Sequence, residues 1–274
     1  MPKLKIGVLI RFHNSIETLP YVFEGLQRQT RSPDLILGVN NASTDGSSDF
    51  FKSQGGVVID WPHAYHHSKT LNAGMKAIEA DLVMPLSSHT VLEDVDVIEK
   101  LEKAFEDPRI VCASPVWEPD MFYSRLVDWE ELQEKGIIMG SIYSNSCGML
   151  RKSAWSENPF DERFDHGLED FVFAIERLRK GEKVARLSYN FRYLRQGRVR
   201  FYECTSYAFA IANHHGLKMN WLGLKGTLRG YLTHGLNYLL GIGSREVEYA
   251  KWSNHEQRLR AWLTWRVTNP YKQS

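Results

Sequence analysis

Cysteine is scarce in this chain, which has only three among its 274 residues, at Cys112, Cys147 and Cys204. Their wide spacing matches no zinc-binding pattern, and three dispersed thiols do not form the framework of a small disulfide-stabilised protein. We therefore expect reduced cysteines that lie in the core as small residues. The same observation points to a cytoplasmic location.

Long apolar runs and an excess of one charge are also lacking. No stretch of ~18 apolar residues is present to span a bilayer, and the N-terminus leads into a predicted strand without a cleavable signal. The formal net charge is +1, from 34 basic and 33 acidic residues, so no bulk basic surface predicts nucleic-acid binding. With 43% hydrophobic residues, the chain can bury the core of a compact enzyme.

Short apolar runs alternate with helical segments along the first third of the chain. Apolar runs at 6–10, 35–39, 56–60 and 81–86 predict strands. Apolar residues at helical spacing predict helices at about 17–28 and from 66 to about 79. This alternation predicts a doubly wound, mainly parallel α/β sheet.

A polar loop, residues 38–47, follows the second predicted strand and contains Asn40, Ser43 and Asp45. In an open α/β sheet, ligands bind outside the carboxyl ends of the strands, where amide, hydroxyl and carboxylate groups can bond a nucleoside. Taken alone, the loop is more typical of a strand-to-helix turn capped by Ser43 or Thr44.

A second motif pairs Glu169 with Asp170 at a predicted helix start, after Phe160-Asp161-Glu162 and before Arg179-Lys180-Gly181. Carboxylates at a helix N-terminus are favoured by the helix dipole, so the pair alone is compatible with a simple cap.

Together these motifs resemble family 2 glycosyltransferases over roughly residues 5–190, with Asn14, Ser43, Asp45 and Gly46 matching the loops after the family's first two strands. The resemblance implies a GT-A fold: a catalytic domain over 1–200, with a nucleotide-sugar half at about 1–115 and an acceptor half at about 116–200. A C-terminal helical extension would cover 201–274.

The implied activity is inverting transfer of a hexose or deoxyhexose from a nucleoside diphosphate sugar. The acceptor would be a hydroxyl of a carbohydrate or lipid-linked molecule in bacterial surface polysaccharide or glycoconjugate synthesis. Asp170 inherits the role of general base and Glu169 a supporting one. The residues expected to bind the donor are Arg11, Asn14, Asn40, Ser43, Asp45, Lys69, Asn72 and Ser87.

Two departures from the family affect the donor site. Asn40 replaces an aspartate, which leaves uridine, thymidine and guanosine donors open. The family's metal-binding Asp-x-Asp is replaced by Ser87-Ser88-His89, similar to a bacterial subset with Ser-Ala-His. His89 is therefore the candidate ligand for Mn²⁺ or Mg²⁺, with weak metal dependence expected.

Charged residues around this motif have two interpretations. The basic run Arg192, Arg195, Arg198 and Arg200 is either a diphosphate clamp or a solvated face. The acidic residues Glu93, Asp94 and Asp96 could supply carboxylates to a metal, but they are more simply interpreted as the first turn of the next helix, where the helix dipole favours them.

The last third of the chain is predicted to be helical, at Phe201–His215 and Trp221–Leu240. The apolar stripe from Leu222 to Leu239 is expected to pack as core or against a second subunit. Contact with the inner face of a membrane is the alternative. Three other functions remain. The Glu169–Asp170 pair argues against a non-catalytic nucleotide-sugar-binding protein, and the neutral charge against a nucleic-acid sugar-modifying enzyme. A nucleotidyltransferase would show a glycine-rich phosphate loop after the first strand, where this chain has residues 11–14 instead.

Overall fold

The computed structural model describes residues 4–116, 123–137, 142–165, 167–194, 201–218, 221–265 and 269–272, without the side chains of 201–205 and 221–227. The chain forms two compact units. The first comprises Met1–Trp129 with Gly140–Gly197, and the second Glu130–Met139 with Arg198–Ser274.

The first unit is built on ten strands, and the predicted apolar runs supply the first four of them. The strands are β1 (Ile6–Phe12), β2 (Leu35–Asn40), β3 (Val57–Asp60), β4 (Leu82–Ser87), β5 (Thr90–Leu92), β6 (Ile110–Pro115), β7 (Leu126–Val127), β8 (Met149–Arg151), β9 (Lys183–Leu187) and β10 (Phe191–Tyr193).

Eight strands form one sheet in the order β3-β2-β1-β4-β8-β6-β9-β7, while β5 and β10 form a separate antiparallel ladder. The strands β3, β2, β1 and β4 run parallel, as do β6 and β9. By contrast, β8 is antiparallel to both neighbours and β7 to β9. The prediction of a doubly wound, mainly parallel sheet is confirmed.

Ten α-helices are described, and they begin and end within a few residues of the predicted bounds where a helix was predicted. They are α1 (Leu19–Gln27), α2 (Ser47–Ser53), α3 (His67–Ala77), α4 (Val97–Ala104), α5 (Trp129–Lys135), α6 (Lys152–Glu157), α7 (Glu169–Arg179), α8 (Phe201–His215), α9 (Trp221–Leu240) and α10 (Arg245–Thr264).

Strand register brings the polar ends of four strands to one edge. Phe12 pairs with Asn40, Asn40 with Asp60, and Arg11 with Ser87. Behind this edge the rings of Phe12 and Phe51 stack at 5.2 Å. Gly38 is required here, because an added Cβ would lie 2.7 Å from the Phe12 ring. The sheet therefore carries its candidate functional side chains together at the carboxyl edge of β1–β4.

The acidic segment before α4 is not the first turn of that helix, so this expectation is wrong. The helix begins at Val97, and Asp94 accepts hydrogen bonds from the backbone N and Nδ2 of Asn190, each at 3.0 Å. Glu93 pairs with Arg192 at 2.9 Å. These carboxylates hold β10 and its preceding loop beside β5 instead of stabilising a helix dipole.

In the second unit, α9 packs against α10 through glycine and aromatic residues. A Cβ on Gly230 would lie 2.2 Å from the His255 ring, and Tyr238 stacks with Trp252 at 5.7 Å. The described leucines of the predicted stripe are exposed instead, Leu232 by 62% and Leu239 by 70%. These described leucines therefore do not form core of the chain, because the glycine-bearing face of α9 is the one that packs on α10. Packing of the stripe against a second subunit stays a prediction. Among the described residues, no helix has both the length and the apolar character needed to cross a membrane.

Candidate active site

The loops after β1 and β2 are joined by the residues that the sequence assigned to nucleotide binding. The Asn14 backbone N–H donates to Ser43 Oγ at 3.1 Å, and Asn14 Oδ1 accepts from the Thr44 N–H at 2.8 Å. Asn14 adopts a left-handed conformation at φ 45°, which asparagine tolerates well. These side chains therefore shape the loop, and their contact with a nucleotide stays a prediction.

Asp45 also holds this loop in place. Its carboxylate accepts from the backbone N–H groups of Ile16 at 3.0 Å and Ser47 at 3.1 Å. Burial acts to raise the pKa of Asp45, but the hydrogen bonds from Ser47 and Ile16 outweigh it and the pKa lies below its ordinary value. The ionised carboxylate thus connects the loop after β1 to the start of α2 through hydrogen bonds.

Asn40, at the end of β2, forms hydrogen bonds through both the oxygen and the nitrogen of its side-chain amide. Its Oδ1 accepts from the Ser43 N–H at 3.0 Å, and its Nδ2 donates to Asp60 Oδ1 at 2.8 Å. Asp60 was not among the predicted site residues. The sequence signal that points to it is its position at the end of a predicted strand next to Asn40 in the sheet.

Glu169 and Asp170 begin α7 after a sharp turn in which Gly167 and Leu168 both have positive φ, at 108° and 71°. Glu169 is fully buried, and its Oε1 lies 3.0 Å from His67 Nε2 and 3.1 Å from Asn145 Nδ2. Asp170 is partly exposed, and its Oδ2 accepts from the Asn145 N–H at 2.9 Å. Asn145 therefore binds both carboxylates.

The two carboxyl groups have pKa values shifted in opposite directions. Burial, reinforced by the charge of Glu169, raises the pKa of Asp170 to about 7, against the hydrogen bonds from Asn145 and Phe171. Burial also acts to raise the pKa of Glu169, but the His67 imidazole, with a smaller contribution from Arg11, lowers it below its ordinary value. Glu169 is thus the ionised partner, and Asp170 can take up a proton near neutral pH.

Arg11, at the end of β1, connects the sheet edge to this pair. Its Nη1 lies 3.0 Å from the Tyr65 hydroxyl and donates to the His67 carbonyl oxygen at 3.2 Å. The Tyr65 hydroxyl is also 2.9 Å from His67 Nδ1. Sequence reasoning selected Arg11 but missed His67, Tyr65 and Asn145, because an isolated histidine, tyrosine or asparagine carries no spacing signal.

Lys69 and Asn72 lie on the outer face of α3, in a groove of about 810 Å³. The Asn72 amide donates to the Phe160 carbonyl oxygen at 2.8 Å and accepts from Trp155 Nε1 at 3.0 Å. It thereby anchors the segment after α6, and its donor contact stays a prediction. Twelve residues line the groove, namely Trp61, His63, Ala64, Tyr65, His66, Lys69, Asn72, Ala73, Lys76, Trp155, Pro159 and Glu162.

The predicted metal motif lies at the end of β4. Ser88 is buried, and its carbonyl oxygen accepts from Thr18 Oγ1 at 2.7 Å, while the His89 ring lies 5.9 Å from that of Tyr193. No cluster of three histidine, cysteine or acidic side chains suited to a metal occurs among the described residues. One imidazole beside serine hydroxyls does not fit a divalent ion held by the protein itself. Arg195, Arg198 and Arg200 lie outside the described residues.

Comparison with known proteins gives a family match over residues 7–163, described as glycosyl transferase family 2. An O-antigen chain rhamnosyltransferase of Salmonella typhimurium is 25% identical over 203 residues, covering 66% of this chain and 63% of that protein. Another, of Salmonella anatum, is 23% identical over 92 residues, covering 33% and 29%. The chain thus matches less than two thirds of either relative.

Solved structures agree on the fold. A mannosyltransferase of Pyrobaculum calidifontis, in complex with GDP-Man and Mn²⁺, superimposes with a TM-score of 0.69 at 13% identity, covering 96% of this chain and 87% of that one. Glucosyl-3-phosphoglycerate synthase of Mycobacterium tuberculosis, with Mn²⁺, UDP and glucosyl-3-phosphoglycerate, gives 0.59 at 12% identity, covering 79% and 81%. Because the family match spans more than half of the chain, this protein belongs to glycosyltransferase family 2 and has the predicted GT-A fold.

Proposed function

We propose that this chain is an inverting glycosyltransferase whose general base is Asp170. The observation that supports this most strongly is the carboxyl pair itself. Glu169 is buried and paired with His67, while Asp170 is partly exposed with a pKa of about 7. A base whose pKa lies near the working pH combines sufficient ionisation with sufficient proton affinity.

In the proposed reaction, ionised Asp170 takes the proton of an acceptor hydroxyl as the oxygen attacks the anomeric carbon of the donor sugar. The new carbon–oxygen bond forms on the face opposite the diphosphate, whose bond to the sugar breaks, and the nucleoside diphosphate leaves with that electron pair. A single displacement inverts the anomeric centre. Glu169 does not receive the proton, but its charge helps keep Asp170 basic.

The relatives support a substrate class. Both are named O-antigen chain rhamnosyltransferases, and the structural neighbours include proteins bound to GDP-Man or UDP. We therefore place this chain in bacterial surface polysaccharide synthesis, transferring a hexosyl or deoxyhexosyl group to a carbohydrate or lipid-linked acceptor. A cytoplasmic location, including the inner face of the membrane, belongs to the same proposal.

The groove on α3 is the proposed acceptor site, which reassigns Lys69 and Asn72 from the donor, where the sequence placed them, to the acceptor. It adjoins the carboxyl pair through Tyr65, which contacts both Arg11 and His67. Indole and phenol rings in its lining offer flat apolar surfaces with polar edges, which suit sugar rings. Lys69 and Lys76 have no ion-pair partner among the described residues, so the groove also suits an acceptor that carries acidic groups.

Replacing Asp170 tests the proposed base. In Asp170→Asn the side chain keeps its shape but cannot take a proton, so turnover should fall by roughly two to four orders of magnitude while donor affinity changes little. Transfer kinetics and calorimetry with the donor nucleotide measure the two effects. Retention of more than a tenth of the activity would remove Asp170 from the mechanism.

Replacing its neighbour should move the pH profile. Because Asp170 must be ionised, kcat/KM of the parent should fall about tenfold per pH unit below an apparent pKa of about 7. The charge of Glu169 raises the pKa of Asp170, so Glu169→Gln should shift this acid limb to lower pH. An unshifted limb, or a shift to higher pH, contradicts the electrostatic role of Glu169.

Charge reversal in the groove should affect the acceptor selectively. Lys76→Glu, on the exposed face of α3, is expected to raise the KM for an acidic acceptor roughly tenfold without changing the KM for the donor. Lys103→Glu, on the exposed face of α4, makes the same change in net charge elsewhere. Equal effects of the two substitutions would show that the groove does not bind the acceptor.

Metal dependence is expected to be weak, because the described residues offer no carboxylate cluster to hold a divalent ion. Activity should persist in part in a chelator and recover better with manganese than with magnesium, since imidazole prefers the softer ion. His89→Ala should reduce turnover strongly, because the resemblance places this imidazole near the diphosphate whether or not a metal is bound there. Complete loss in chelator with full recovery in magnesium would contradict this assignment.

A further inference from the structure

The carboxyl edge of the sheet offers one acidic group that the loop residues do not fully occupy. Asp60 ends β3 and is exposed, and its Oδ1 accepts from Asn40 Nδ2 at 2.8 Å. No second hydrogen-bond donor reaches the Asp60 carboxylate among the described residues. Its other oxygen, Oδ2, is thus available to a ligand.

The neighbouring polar side chains Asn14, Asn40 and Asp45 have fewer atoms available to hydrogen-bond a ligand. Asn40 uses Oδ1 on the Ser43 N–H and Nδ2 on Asp60, while Asp45 uses both oxygens on backbone N–H groups. Asn14 Oδ1 is held by the Thr44 N–H. Of the side chains on this side of the edge, Asp60 therefore retains the strongest acceptor that faces solvent.

The position of Asp60 also suits the base of a donor nucleotide. Arg11, near the end of β1, places its Nη2 3.2 Å from His67 Nε2, the atom that contacts Glu169. Two strand spacings, about 10 Å, separate β1 from β3 along the edge. This distance is comparable to a ribose with its diphosphate, so a nucleotide whose sugar lies near Asp170 can place its base at β3.

We infer that Asp60, oriented by Asn40, reads the base of the donor nucleotide and selects one with a ring N–H at its pairing edge. The inference rests on the proposed function. A carboxylate only accepts hydrogen bonds. Uracil, thymine and guanine present a ring N–H at this edge. Cytosine and adenine present a ring nitrogen lone pair, which repels a carboxylate, and can donate to it only from the neighbouring exocyclic amino group.

In this arrangement the side-chain amide of Asn40 orients the Asp60 carboxylate. Asn40 donates to the Asp60 carboxylate, which a second carboxylate at position 40 could not do while ionised. Asn40 is therefore a positioning residue, and the carboxylate that recognises the base lies one strand farther along the sheet.

Calorimetric titration of the full chain with UDP, TDP, GDP, CDP and ADP tests the inference without any acceptor. The parent should bind at least one of UDP, TDP and GDP about tenfold or more tightly than CDP and ADP. Asp60→Asn, whose amide can donate as well as accept, should reduce this difference to about threefold or less. Asp49→Asn removes a carboxylate from an exposed position on α2 and should leave the preference unchanged.

The outcomes separate this inference from the proposed function. Two results overturn the role of Asp60 alone. In one, the nucleotides bind with a preference that Asp60→Asn does not alter; in the other, the parent binds CDP or ADP more tightly than UDP, TDP and GDP. Failure of all five nucleotides to bind overturns the proposed function as well. Unfolding curves for each variant check folding, and Asp60→Ala should show the same loss of preference if the asparagine variant is unstable.

Discussion

The carboxylate of Glu169, buried beside Asp170, is the interaction on which the candidate site depends. Removing an ionised carboxylate from water costs several kcal/mol unless it is paired and hydrogen-bonded. Glu169 meets that requirement through His67 and Asn145, although its Oε2 has no hydrogen-bond partner among the described residues. The arrangement stabilises one charge and thereby disfavours a second one on Asp170.

This arrangement makes folding stability depend on pH. In the folded chain the pKa of Asp170 is raised from 3.8 to about 7, so the folded state binds a proton more tightly than the unfolded state does. Its contribution to stability is complete below the unfolded pKa and is lost as pH rises through about 7. The form that acts as the proposed base is thus the less stable one, as is common where function requires a destabilised group.

The backbone contributes to the same geometry. Leu168 has φ 71°, a conformation that costs a non-glycine residue roughly 1–2 kcal/mol. With Gly167 also at positive φ, the chain turns sharply into α7, so both carboxyl groups begin the helix next to Asn145. The strained backbone conformation at this turn is therefore part of what positions the two carboxylates.

Much of the fold was predictable because hydrophobic periodicity reports which face of an element is buried. The runs that became β1–β4 and the bounds of α8 and α9 illustrate this. The buried face of α9 was mispredicted, since leucine spacing does not reveal that Gly230 admits His255. Likewise, Asp170 could be found from a motif, but His67 and Asn145 come from distant segments whose proximity only the folded chain defines.

Motif residues and unoccupied atoms give different information about a site. Asn14, Asn40, Ser43 and Asp45 bond mainly to one another and to nearby backbone, so their pattern in the sequence records the shape of a loop. The group left with an available acceptor, Asp60, lies outside that pattern, because the loop residues hold only one of its two carboxylate oxygens. The proposed recognition of the donor base therefore rests on a carboxylate oxygen that the loop leaves without a hydrogen bond, and not on the motif residues themselves.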